Sequence, residues 1–133
     1  RLKNPPLVLP EDLQTVLQHH CNVPVKVLGE PGVDRSVAAC WNLGCKQAMC
    51  EGADKLMIFA NDVLLKPDTI DQLLEFGEEH QDVALWSALN DRHPQKRPST
   101  TIGDSADFSC FMLRDRTLKR HGWFDERFRP AYF

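Results

Sequence analysis

Residues 57–69 read MIFANDVLLKPDT: an apolar run that ends on an adjacent amide and carboxylate, Asn61 and Asp62, and leads into a helix start at Lys66, Pro67 and Asp68. Together with the preceding Lys55 and Leu56, the run KLMIFA reads as a strand buried on both faces. Pro67 fits the first turn of a helix, and Asp68 suits its electropositive amino end. A carboxylate where such a strand ends is either a turn or cap residue, or the tether of a divalent cation and its ligand.

Working outward, Ser36 is placed to cap a helix through about residue 51, stopped by Gly52. Val37, Ala38, Trp41, Cys45, Ala48 and Met49 give that helix its apolar face. Asn42 and Gly44 interrupt it; both are weak helix formers, and their presence in the interior calls for a contact or packing reason. Ile70, Leu73, Leu74 and Gly77 mark the inward stripe of the next helix, and VALWSAL (83–89) is a further strand with Trp86 in the core. Earlier in the chain, DLQTVLQHH reads as a helix to about His20 and VPVKVLG (23–29) as a strand. The middle of the chain thus alternates strand and helix, which predicts a mostly parallel sheet covered by helices.

Residues 90–105 form a long polar segment with Pro and Gly, expected to be a flexible loop; its Arg92, Lys96 and Arg97 suit either solvent or phosphate. ADFSCFML (106–113) alternates as another strand, followed by a short helix over 114–121 and the turn GWFDERF. Asp125 in that turn is open to two readings, a carboxylate satisfying nearby backbone amides or the wall of a pocket faced by Asp104 or Asp107. Trp123, Phe124 and Phe128 are expected to be partly buried.

Composition narrows the classes. The chain has 133 residues, enough for one domain, and a formal charge of -3 that argues against a general polyanion or nucleic-acid binder. Five cysteines without a CxxC pair read as reduced thiols and point to a cytoplasmic setting. No segment is apolar enough to span a membrane. The chain carries no GxGxxG, Walker loop, HExxH or nucleophile elbow.

From about Val23 to Phe133, the segments VDRSVAACWNLGCKQA, GADKLMIFANDVLLKPDTIDQLL and GDSADFSCFMLRDRTLKRHGWFDERFRPAYF resemble, in this order, an inverting family 2 glycosyltransferase. That resemblance implies a GT-A-like, Rossmann-like fold, α/β with a mostly parallel sheet flanked by helices. It implies a single domain with a donor side over 1–89 and an acceptor side over 106–133. It implies Mn²⁺ or Mg²⁺ on Asp62, with Asn61, Asn42 and Gly44 at the nucleotide-sugar donor. It implies Asp107 and Asp125 as candidate catalytic carboxylates, Asp107 lining the donor or acceptor side and Asp125 shaping the side of an unidentified glycan, lipid or protein acceptor. Two departures stand out: Ala60 occupies a position where the family has a ligating residue, and the chain stops at PAYF, before the acids that serve the family as base. The expectation is therefore of a domain incomplete at both ends, whose parent transfers sugar with inversion. Its rivals are a sugar-nucleotide nucleotidyltransferase and a noncatalytic sugar-nucleotide-binding domain.

Overall fold

The computed structural model describes residues 36–60, 63–89 and 108–128. Helix α1 (Val37–Cys50) opens on Ser36, whose Oγ accepts from the Ala39 N–H at 3.2 Å, as its sequence position leads one to expect. It closes at Gly52, whose φ of 93° lies in the left-handed region that glycine adopts without strain. Strand β1 (Lys55–Phe59), helix α2 (Thr69–Glu79), strand β2 (Leu85–Ser87), strand β3 (Cys110–Arg114) and helix α3 (Asp115–His121) follow.

The three strands form one sheet in the order β1-β3-β2. β3 pairs antiparallel with β1, Leu56 opposite Leu113 and Ile58 opposite Phe111, and antiparallel with β2, Trp86 opposite Met112. β1 and β2 therefore point the same way, as a helical crossover between them requires, but a reversed strand separates them.

This arrangement corrects the expected GT-A-like, Rossmann-like, mostly parallel sheet, since every strand pairing among the described residues is antiparallel. The physical reason lies in β3. All five of its residues are buried, so it is stable only in the middle, with a neighbour on each edge and a layer on each face. An apolar run declares burial, not direction. The resemblance of these segments to a family 2 glycosyltransferase implied that parallel sheet, and the antiparallel pairing overturns the assignment. The expected helix over 11–20 and strand over 23–29 lie outside the described residues, as does the 90–105 loop. The expectation of a chain cut short gains no support from the described sheet.

Alternation along β3 divides the core. Cys110 and Met112 point into a cluster with Leu65, Ile70, Leu73 and Trp86 under α2. Phe111 and Leu113 point the other way, into a cluster with Cys45 of α1, Leu56 and Leu118 of α3. The sheet is thus the middle layer of three. Arg114 closes the α2 side: its guanidinium donates to the carbonyls of Gly77 and Val83 (3.2 Å to the latter) and lies 4.8 Å from the centre of the Trp86 ring. Trp86 in turn donates its indole N–H to the Leu73 carbonyl at 2.8 Å. Among the described residues, no helix is long and apolar enough to cross a membrane.

Candidate functional site: a clasped aromatic loop

The residue that sequence alone marks as anomalous in α1 is the one that organises the far end of the chain. Asn42 is buried, 2% exposed, on the face of α1 that meets residues 122–128. Its Oδ1 accepts from the Phe124 N–H at 3.0 Å. Its Nδ2 donates to the Phe124 carbonyl at 2.8 Å and to Glu126 Oε1 at 2.8 Å. One side chain thereby satisfies both backbone groups of Phe124 and steadies a carboxylate.

Packing reinforces the clasp. The Phe124 ring sits edge-on to Trp41 at 5.1 Å and to Phe111 at 6.1 Å, and Trp41 also meets Phe111 edge-on at 5.1 Å. Phe108 stacks on Trp41 at 6.0 Å. The loop begins where Gly122, with φ of 93°, ends α3 and donates to the Leu118 carbonyl at 2.9 Å.

The rest of the loop faces outward. Trp123 is 43% exposed and Phe128 47%, so each is partly covered, as expected, yet presents a broad outer surface, whereas Phe124 is more deeply placed. The ammonium of Lys46, one turn of α1 beyond Asn42, lies 4.9 Å from the centre of a Trp123 ring. Asp125 accepts from the Arg127 backbone N–H at 3.0 Å and from its guanidinium at 2.6 to 3.0 Å. Those hydrogen bonds to Arg127 hold the Asp125 carboxyl down at about 2. A carboxylate held so low and gripped by a guanidinium is a poor proton acceptor near neutral pH.

Of the residues singled out from sequence, Asn42 in α1 binds Phe124 and Glu126, the neighbours of Asp125 in the loop, while Asp125 itself bonds Arg127. Gly44 is helical and half-buried in α1. Asn61, Asp62 and Asp107 lie outside the described residues, and so do Arg92, Lys96 and Arg97. The expected Mn²⁺ or Mg²⁺ is corrected on the donor set: among the described residues, no three His, Cys, Asp or Glu side chains stand together to hold a metal ion. The transferase activity, and with it the reading of the parent as an enzyme of that family, required both that cation and a parallel-sheet donor cleft. Neither is found among the described residues, so that activity is withdrawn.

Sequence reasoning missed the roles of Lys46, Trp123 and Glu126. The signal for Lys46 was its spacing of four from Asn42, which places both on neighbouring turns of one helix. No family model matches the chain, and no curated protein and no solved structure matches it.

Proposed function

We propose that the chain is a recognition module that binds a glycan on its 122–128 loop. The observation that carries the reading is the Asn42 clasp: a loop fixed by three hydrogen bonds to one buried amide still leaves Trp123 and Phe128 exposed. Aromatic rings held rigid at a surface bind with little ordering cost, which is the usual character of a binding hot spot.

Size favours a glycan over a protein partner. A stable protein interface covers roughly 800 Å² on each side. Two exposed rings, each contributing at most about 150–250 Å² when covered, match one or two sugar rings instead. The C–H face of a pyranose packs on an indole, and its vicinal hydroxyls can bridge to the Asp125–Arg127 fork beside Trp123. A cytoplasmic, reducing setting belongs to the same proposal, supported by the free thiols of Cys40, Cys45 and Cys50.

The test is an oligosaccharide array probed with the wild-type chain and with Trp123→Ala. Binding lost in the variant at unchanged melting temperature is expected. Array binding that survives the substitution sinks the proposal.

A further inference from the structure

We infer that the glycan bound at Trp123 is anionic, bearing carboxylate or sulfate groups; this rests on the loop reading above. The charges left without a partner around the indole decide the character of its ligand. Asp125 is paired with Arg127 and Asp115 with Lys119 at 2.5 Å, whereas Glu126, hydrogen-bonded among the described residues only to the neutral Asn42 amide, keeps its negative charge. Lys46, in contrast, lies over Trp123 with no carboxylate partner among the described residues. Arg120 and His121 are exposed in the last turn of α3, directly before Gly122 and Trp123, and they too have no carboxylate partner there.

A chain with formal charge of -3 thus sets an ammonium without a carboxylate partner among the described residues over the exposed indole, and Lys46 and Arg120 together outnumber the single unpaired carboxylate of Glu126. A sugar stacked on the indole would bring a ring-borne carboxylate within reach of Lys46, adding a charge-assisted contact to the apolar one. A neutral sugar would leave that ammonium without a counter-charge.

Trigalacturonic acid and its methyl ester separate the two terms, because they share rings and hydroxyls and differ in charge. Titrations followed by tryptophan fluorescence are expected to show the acid binding about tenfold tighter than the ester, a preference that shrinks at high salt. Lys46→Gln should remove the preference, while Arg116→Gln, whose guanidinium is held at the Gln81 carbonyl, should keep it. Equal affinity for acid and ester, with both lost in Trp123→Ala, overturns the charge inference and leaves the loop reading standing. Binding of neither, or binding indifferent to Trp123→Ala, overturns both. A triglutamate peptide that binds as tightly as the acid overturns the choice of a glycan.

Discussion

Asn42 and Phe124, 82 positions apart, exchange a reciprocal pair of hydrogen bonds, the Phe124 N–H to Oδ1 at 3.0 Å and Nδ2 to the Phe124 carbonyl at 2.8 Å. An amide side chain here imitates a strand neighbour. Replacing it by Ala leaves two backbone groups and a carboxylate short of a partner. Asn42→Ala is expected to lower stability by about 3 kcal/mol, from the cost of leaving such groups unmade, read as a fall in the urea midpoint. A shift under about 0.5 kcal/mol would show the clasp to be dispensable.

Gly77 faces Trp86 so closely that a β-carbon there would come within 2.5 Å of the indole Cζ2. The ring has no easy retreat, since its N–H is fixed to the Leu73 carbonyl and Arg114 covers it. Gly77→Ala gains about 1 kcal/mol in helix propensity and meets an overpacking cost of roughly 1–3 kcal/mol. The second term should win, giving a lower melting temperature in calorimetry; a variant that melts higher than wild type would refute the packing argument.

Phe111 is 0% exposed and is surrounded by the rings of Trp41, Phe108 and Phe124. Phe111→Ala should cost about 3–5 kcal/mol, because the rigid rings around it cannot collapse into the space. Chemical denaturation measures this directly, and a loss under about 1 kcal/mol would mean that the cluster repacks freely.

The depressed Asp125 carboxyl sets an acid dependence for the loop. Its carboxyl falls from 3.8 to about 2, chiefly through side-chain hydrogen bonds from Arg127, so its contribution is fully present above pH 3.8. It is lost as pH falls through about 2. Carboxyl carbon shifts followed by NMR should titrate near that value in the wild type and return toward the ordinary range in Arg127→Gln. An unchanged midpoint in the variant would remove Arg127 as the cause.

Burial pushes the Cys45 thiol up to about 11, whereas Cys50 is exposed. At pH 8, a thiol reagent should label Cys50 and leave Cys45 intact until the chain unfolds, as mass spectrometry of the peptides would show. The sign of the linkage is destabilising at high pH: the unfolded thiol ionises from about 9 upward, so stability declines between 9 and about 11.

Much of the local structure was legible before any coordinates. The Ser36 cap, the extent of α1, the KLMIFA strand and the burial of Trp86 each follow from neighbouring residues, and each is present. Asn42 was also visible as a misfit in an apolar helix. Its partner was not, because nothing local connects residue 42 to residue 124. The direction of β3 was hidden for a related reason: CFMLR would be equally apolar in either orientation, and only its pairing with β1 and β2 decides between them. Alternation of strand and helix along the chain thus pointed to a parallel sheet, which the antiparallel insertion of β3 between β1 and β2 overturns.

β3 is the last described strand in the chain and the middle one in the sheet. During synthesis, β1 and β2 leave the ribosome before the segment that pairs with both. At roughly 5–20 residues per second, the wait from Phe59 to Cys110 is on the order of a few seconds to ten seconds. For that interval the ladder described here does not exist. A nascent chain stalled before residue 110 would be a natural client for a chaperone, and arrival of CFMLR acts as the keystone that lets both flanks set at once.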